Sequence, residues 1–434
     1  MQSISLHPSL LHVQRVERVC TKRCVALAAA FLAASCAGTQ LSRSERSTSL
    51  IADWPHYGGD PGGTRFSPLT QIDKGNVVRL EIAWEYHTGD VSEGANGRPW
   101  SAFEATPIVV DGAMYVSTPF SRVIALDPET GAEKWKFDPG VDVHVPRPLG
   151  LVNRGVSLWT DSTKAADGDC RRRVFVGTID ARLFALDAAT GRPCPDFGEG
   201  GRIDLTRGVA RIGDRAEYAE TSAPAIVEDL VIVGSSIADN VRFDSPSGVV
   251  RAFDARTGAL RWNWDPIPHA LGSTGAANAW ATISVDAERG LVFVPTGSAS
   301  PDNYGGTRAG DNAWANSVVA LAARTGERVW GIQLVHHDLW DYDTASQPIV
   351  ATMRRESVDV PVVIQGNKTG SIFVLNRENG VPLFAIQERA VPTSDVSGEK
   401  SSPTQPFPLV PSALVPQRLV ADDAWGPTEK DRNA

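Results

Sequence analysis

Short runs of apolar residues recur along the whole chain and are separated by turns rich in Gly, Asp and Pro. Some runs alternate with polar residues, as in residues 112–116 (GAMYV), and others are wholly apolar, as in residues 291–294 (LVFV). Alternation is typical of strands that bury one face, and short apolar runs are typical of strands that bury both. The pattern therefore predicts an all-β chain.

One sequence unit repeats: a strand ending in Ala-Leu-Asp or a variant of it, two residues, Thr-Gly, and in several copies a strand carrying Trp. The Asp side chain can cap the turn, and the glycine supplies the positive φ that the hairpin needs. The repeat glycines lie 60, 67, 68 and 54 residues apart: Gly131, Gly191, Gly258, Gly326 and Gly380. A four-stranded propeller blade needs about 40–50 residues, so insertions account for the excess. We therefore predict a β-propeller with about five blades in residues 50–390.

The two ends of the repeat region differ from the repeats themselves. Trp84 lies in a segment that we interpret as the outer strand of a blade whose other strands come from elsewhere. Residues 391–434 are rich in Pro and offer no strands to complete that blade. We expect an incomplete ring, in which this tail marks where the propeller is cut short.

The first 36 residues have the pattern of an export signal. Four basic residues precede a ten-residue apolar run at residues 25–34, which is too short to span a membrane. The sequence before Cys36 also resembles a lipoprotein cleavage site, so two hypotheses stay open: a lipid anchor at Cys36, or ordinary cleavage with Cys36 incidental. Both predict export, and we expect a periplasmic location.

Export makes disulfides possible. Cys170 precedes a predicted strand and Cys194 follows the next, so an antiparallel hairpin would bring the two together. A structural disulfide is our prediction, and two buried thiols are the alternative.

Composition narrows the class of protein further. The chain has 434 residues, 42% of them hydrophobic, and a formal net charge of −9. This composition is that of a folded protein, and the negative charge argues against a nucleic-acid partner.

Three polar insertions between the repeats suggest chemistry. Residues 336–343 (HHDLWDYD) combine imidazoles, carboxylates and aromatic rings, which suits a general base beside a stacking surface. Lys368 projects from a tight turn, and Arg154 stands in an apolar stretch. Taken singly, each has a structural alternative: a solvated acidic turn, a surface lysine, and a buried ion pair.

These segments, in this order, resemble the PQQ-dependent (quinoprotein) dehydrogenases, and most closely the membrane-type glucose dehydrogenases and their quinate dehydrogenase relatives. The resemblance begins at residues 53–60 (DWPHYGGD), continues through residues 65–69 (RFSPL) and ends at residues 423–426 (DAWG). Several long motifs in one order are more specific than a single short match. The family continues well beyond this point, so we expect a C-terminally truncated member.

The resemblance implies an eight-bladed propeller with PQQ on its axis and a Ca²⁺ or Mg²⁺ ion beside it. It implies that Asp341 is the catalytic base and a metal ligand, and that Asp239 is the acidic residue near the metal. The remaining matches are to positions that contact the cofactor: Glu104, Arg154, Thr221, Ser236, Trp280 and Lys368. Gly150 stands where the glucose dehydrogenases tend to carry a His, which leaves the sugar specificity open.

The implied function is that of a periplasmic oxidoreductase. It would oxidise a sugar or polyol hydroxyl, as in glucose, by hydride transfer to PQQ and pass the electrons to ubiquinone or a periplasmic carrier. Two alternatives are a non-catalytic propeller scaffold, like the lipoproteins of outer-membrane protein assembly, and an inactive truncated relic.

Overall fold

The computed structural model describes residues 53–95, 99–267, 274–418, 420, 423, 426 and 428–432. The predicted signal at residues 1–36 and the possible lipid anchor at Cys36 lie outside these residues. Within the described part of the chain, no helix is both long enough and apolar enough to cross a membrane.

The fold is an all-β propeller built from antiparallel sheets that follow one another along the chain. Blade 1 consists of Ile108–Val110, Ala113–Ser117, Val123–Leu126 and Glu133–Phe137. Blade 2 consists of Ser157–Thr160, Arg172–Gly177, Arg182–Asp187 and Arg202–Asp204. Blade 3 consists of Ala225–Val227, Leu230–Val233, Val250–Asp254 and Leu260–Trp264. Blade 4 consists of Ser284–Asp286, Leu291–Pro295, Ser317–Ala322 and Arg328–Gln333. Blade 5 has three strands: Ile349–Arg355, Val358–Gly366 and Ile372–Asn376.

Smaller elements connect the blades. Ser101–Phe103 pairs in parallel with Leu151–Asn153, and Tyr218–Ala219 pairs antiparallel with Ser236–Ile237. A hairpin of Ile386–Ala390 and Thr404–Pro408 follows blade 5. The helical pieces are short: Val77–Arg79, Arg215–Glu217 and Glu429–Arg432.

The apolar core lies between neighbouring blades. Ile108 and Tyr115 of blade 1, for example, pack in one buried cluster with Val174 and Phe184 of blade 2. Because each blade buries both faces in this way, its inner strands are almost wholly apolar. The five blades in the described residues agree with the number predicted from the repeat.

Three of the five repeat turns are held by an Asp side chain, and four of the five repeat glycines pack against a Trp of the preceding unit. In blade 1 the Asp127 carboxylate accepts the N–H of Glu129 at 3.1 Å and that of Thr130 at 3.0 Å, and Gly131 has φ +71°. The indoles that lie against the glycines donate to a carbonyl of the next blade at 2.8–3.2 Å: Trp84, Trp135, Trp262 and Trp330. A β carbon on any of the four facing glycines would lie 2.5–2.7 Å from an indole, so these turns need glycine for space as well as for φ: Gly131, Gly191, Gly326 and Gly380.

One expectation about the ends of the repeat region is wrong in secondary structure. Trp84 is not in a strand, because residues 80–92 pair with no neighbouring strand. Its indole nevertheless packs on Gly131 as the other repeat tryptophans pack on their glycines. The Pro-rich tail contains one strand, Thr404–Pro408, which pairs with Ile386–Ala390. As expected, the described part of the tail pairs no strand with the segment around Trp84.

The predicted disulfide is confirmed. Cys170 and Cys194 are bonded, their Cα atoms lie 5.8 Å apart, and both are buried within the cluster that joins blades 2 and 3. The strands between them, Arg172–Gly177 and Arg182–Asp187, form the antiparallel hairpin that brings the two together.

Removing this disulfide is expected to destabilise the protein. The bond closes a loop with a sequence separation of 24 and so restricts the unfolded chain. Loss of this restriction should lower the free energy of unfolding by about 3 kcal/mol. A Cys170→Ser/Cys194→Ser variant should therefore show a lower midpoint of urea unfolding. Dithiothreitol should lower the midpoint of the unmodified protein and leave that of the variant unchanged; an effect of equal size on both would contradict the prediction.

Candidate active site

Glu104 and Arg154 meet because each directly follows one strand of a parallel pair. Phe103 is in register with Asn153, so the next residue of each strand emerges at the same point. The Arg154 guanidinium lies 2.9 Å from the Glu104 carboxylate, with Glu104 39% exposed and Arg154 18% exposed. The ion pair proposed as the structural alternative for Arg154 is therefore present, but it is open to solvent on the Glu104 side.

Arg154 also contacts two residues from later parts of the chain, Thr221 and Trp280. Its guanidinium donates to the Thr221 hydroxyl at 2.7 Å and lies 4.9 Å from the centre of the Trp280 ring. Its backbone N–H donates to the Thr221 carbonyl at 2.7 Å. Four of the predicted cofactor contacts thus form one connected group.

Trp280 links this group to the lysine and the predicted base. Its indole N–H donates to the Asp343 carboxylate at 3.0 Å. The Lys368 ammonium lies 2.9 Å from the same carboxylate and 2.8 Å from that of Asp341, and 5.8 Å from the centre of the Trp280 ring. Lys368 is therefore not a free surface lysine, and the structure places it against Asp341.

The loop at residues 336–343 is organised by its first aspartate, while Trp340 in its middle is 71% exposed. Asp338 is 2% exposed and accepts hydrogen bonds from the backbone N–H groups of Trp340 and Tyr342. Asp343 is 4% exposed and accepts the N–H of Ser298 at 2.6 Å. This arrangement holds Asp341 with φ +57°, partly exposed, beside the lysine.

Burial and neighbouring carboxylates make Asp341 a weaker acid than usual. Burial, followed by the charge of Asp343, raises the pKa of Asp341 to about 6, and Lys368 opposes the shift. A carboxylate with this pKa is ionised near neutral pH and accepts a proton more readily than an ordinary Asp.

Asp239 lies close to the same carboxylates. Burial and the charges of Asp343 and Asp341 raise the pKa of Asp239, and burial and the charge of Asp239 raise the pKa of Asp302. Ser236, by contrast, is joined to the site only through backbone pairing: its partner Ala219 leads directly to Glu220 and Thr221.

Sequence reasoning missed three acids that the structure adds to the site region: Asp343, Asp302 and Glu220. Asp343 stands two residues after Asp341 in the same polar loop, which is a signal that would have found it. Glu220 is 1% exposed, and burial raises its pKa to about 8. Nothing in the local sequence of Glu220 or Asp302 marks either residue.

The residues present fit a divalent cation in their chemistry. Among the buried oxygens that lack a hydrogen-bond partner are one on Glu220, one on Asn278 and one on Asp302. Carboxylate and amide oxygens are the ligands that Ca²⁺ and Mg²⁺ prefer, and the acids outnumber Arg154 and Lys368 here. Within the described residues, no three acidic side chains of this region bring ligand atoms within 4.8 Å of one another, so an ion here would need further ligands from a cofactor or water.

Comparisons with known proteins show the family of the chain. The profile of the family described as glucose/ethanol/alcohol dehydrogenase, beta-propeller domain, matches residues 54–434. A quinate/shikimate dehydrogenase (quinone) of Acinetobacter baylyi is 37% identical over 408 residues, which cover 88% of this chain and 49% of that protein. Quinoprotein glucose dehydrogenase A of Acinetobacter calcoaceticus is also 37% identical, over 88% of this chain and 50% of that protein.

Solved structures show the same fold. The quinohemoprotein alcohol dehydrogenase of Comamonas testosteroni superposes with a TM-score of 0.64 and 31% identity, covering 83% of this chain and 52% of that one. This chain spans about half the length of the curated relatives it matches. With the family profile matched over almost all of the described residues, the chain belongs to the PQQ-dependent glucose/ethanol/alcohol dehydrogenase family of β-propellers.

Proposed function

We propose that this chain supplies the cofactor-binding and base-bearing part of a quinone-type dehydrogenase that oxidises a sugar or polyol hydroxyl. The observation that carries the proposal is the connected network from Glu104 and Arg154 through Trp280 to Lys368 and Asp341. A scaffold gains no stability from gathering so many charges at one place, because each must be desolvated.

In this proposal the chain's own residues divide the work between binding and proton transfer. Arg154 and Lys368 present guanidinium and ammonium donors to an anionic cofactor, and Trp280 offers a flat face between them. Asp341, partly exposed and with its raised pKa, accepts the proton of the substrate hydroxyl. Bound PQQ would supply the acceptor for the hydride, and a Ca²⁺ or Mg²⁺ ion held by Asp239 and Asp341 would supply a Lewis acid.

The substrate class and the electron acceptor follow from the relatives. Those matched over most of this chain include a quinate/shikimate dehydrogenase (quinone), a quinoprotein glucose dehydrogenase and a glycerol dehydrogenase large subunit. We therefore propose a polyhydroxylated substrate and a quinone electron acceptor such as ubiquinone. The buried disulfide and the export signal favour a periplasmic location, with or without a lipid anchor at Cys36.

The test is dye-linked oxidation of quinate, glucose and glycerol by the purified protein reconstituted with PQQ and Ca²⁺ or Mg²⁺. We expect PQQ-dependent turnover of at least one of the three. Lys368→Ala should lower turnover by at least about tenfold, because the ammonium no longer binds the cofactor or holds Asp341 in place. Lys136 is an exposed lysine on blade 1, and Lys136→Ala should leave turnover unchanged. A folded protein that neither binds PQQ nor turns over would support a scaffold instead.

A further inference from the structure

The connection between the second and third strands of blade 4, residues 296–316, lies against the loop that carries Asp341. Its last residue, Asn316, is 1% exposed and has φ +48°. The Asn316 N–H donates to the Gly297 carbonyl, and the Asn316 carbonyl accepts the N–H of Leu334, each at 2.8 Å. The backbone of Asn316 is therefore fixed on both sides, and its side chain is held in one place inside the protein.

The amide of Asn316 donates to the carboxylate that organises the base loop. Its Nδ2 lies 2.9 Å from the Asp338 carboxylate and 2.9 Å from the Ser298 hydroxyl. That hydroxyl donates to the same Asp338 oxygen, so two side chains of the blade 4 connection bind one buried carboxylate. Charge-assisted hydrogen bonds of this kind offset part of the hydration that a buried carboxylate loses.

The Asp338 carboxylate also binds the backbone on both sides of Asp341. It accepts the N–H of Trp340 at 3.0 Å and that of Tyr342 at 2.6 Å. Asp341 lies between these two residues with φ +57°, and its carboxylate reaches Lys368 at 2.8 Å. The direction of the Asp341 side chain thus depends on where the Asp338 carboxylate is held.

Two further contacts fix the same loop to the blade 4 connection. The backbone N–H of Ser298 donates to the Asp343 carboxylate at 2.6 Å, beyond Asp341. Arg308, which is 4% exposed, donates to the backbone carbonyl of Asp338, ahead of Asp341. These two contacts hold the ends of the segment, and the bonds from Asp338 hold its middle.

We propose that Asn316 is a positioning residue for proton transfer by Asp341 and acts through the Asp338 carboxylate. This inference rests on the proposed function, in which Asp341 is the base. Without the Asn316 donor, the Asp338 carboxylate loses one of its bonds to blade 4 and is free to move away from the N–H groups of Trp340 and Tyr342. A displacement of the base by about 1 Å is enough to lower turnover by about a hundredfold.

Asn316→Gly removes the amide and keeps a residue that adopts positive φ without strain. We expect turnover at saturating substrate and PQQ to fall by about ten- to a hundredfold, while KM and PQQ affinity change by less than about threefold. Ser121→Gly is the matched control: Ser121 is also fully buried, has φ +60°, and accepts the N–H of Ile179 in blade 2 at 3.2 Å. This variant should be less stable in urea but should keep its turnover.

A double-mutant cycle with Asp338→Asn tests whether Asn316 acts through Asp338. In the Asp338→Asn background, Asn316→Gly should lower turnover by less than about threefold more. Hydrogen exchange gives a measurement that does not need turnover. Residues 338–343 should exchange faster in Asn316→Gly than in the unmodified protein or in Ser121→Gly, because the N–H groups of Trp340 and Tyr342 are less protected.

Two results would overturn the proposal: turnover of Asn316→Gly within about threefold of the unmodified protein, or losses that multiply in full when Asn316→Gly and Asp338→Asn are combined. If the unmodified protein does not turn over, the proposed function fails, and hydrogen exchange decides the positioning role. Unchanged exchange of residues 338–343 in Asn316→Gly then overturns it. If Asn316→Gly does not fold, judged by its circular dichroism, Asn316→Asp takes its place, because it keeps the size of the side chain and removes the donor.

Discussion

Asp341→Asn is expected to lower the turnover of the reconstituted protein by about 10²–10⁴-fold, the usual contribution of a positioned general base. The amide keeps the shape of the side chain and its place beside Lys368 but cannot accept the hydroxyl proton. Cofactor affinity should change only a few-fold, because Arg154, Trp280 and Lys368 remain. Single-turnover and steady-state rates measured at saturating PQQ separate the two effects.

A matched control is Asp395→Asn, which changes an exposed aspartate outside the site and should leave turnover unchanged. Asp341→Asn with near-normal turnover would assign the proton transfer to another group, and Asp343 would be the first to examine since it contacts the same lysine. A parallel loss of PQQ binding would instead make Asp341 a binding residue.

Arg173→Met is expected to cost about 3–5 kcal/mol of the free energy of unfolding. Arg173 is fully buried, and its guanidinium donates to the carbonyls of Cys170, Ala255 and Arg256 and to the Asp196 carboxylate at 2.6–3.1 Å. These bonds join blade 2 to the repeat turn of blade 3. Methionine fills much of the volume but leaves the buried carbonyls without donors.

The neighbouring Arg172→Met is the control for Arg173→Met. Arg172 lies on the same strand, but its side chain is 28% exposed and pairs with Asp111, which is 68% exposed, so the loss should stay below about 1 kcal/mol. Urea unfolding of both variants gives the comparison. Equal losses would mean that the buried hydrogen bonds of Arg173 add nothing beyond a surface ion pair.

The blades were predictable from sequence because their determinants are local. The Asp of the turn bonds to N–H groups two and three residues later, and the glycine that follows needs its positive φ within the same six residues. The Cys170–Cys194 pairing was equally local, since one hairpin separates the two. The segment around Trp84 was predicted to be a strand because it has the apolar residues of one. Trp84 instead packs on Gly131, and the sequence alone does not show that the segment lacks a neighbouring strand to pair with.

The candidate site could not be derived from local pattern. Arg154, Trp280 and Lys368 lie far apart in the sequence and meet only because the blades pack side by side. The resemblance to a family supplied that arrangement, and the structure places those residues in contact. The structure also adds Asp343. Its carboxylate accepts hydrogen bonds from the Trp280 indole, the Ser298 backbone N–H and the Lys368 ammonium, a role that no single motif shows.

The measurement that tests the central claim most directly is an equilibrium titration of the folded protein with PQQ in the presence of Ca²⁺ or Mg²⁺, followed by quenching of tryptophan fluorescence. We predict saturable binding at one site, weakened at least about tenfold in an Arg154→Gln/Lys368→Gln variant because two charged donors are lost, and unchanged in Lys136→Ala. Binding of equal strength in all three proteins, or none by a folded chain, would contradict the assignment of this network as the cofactor site.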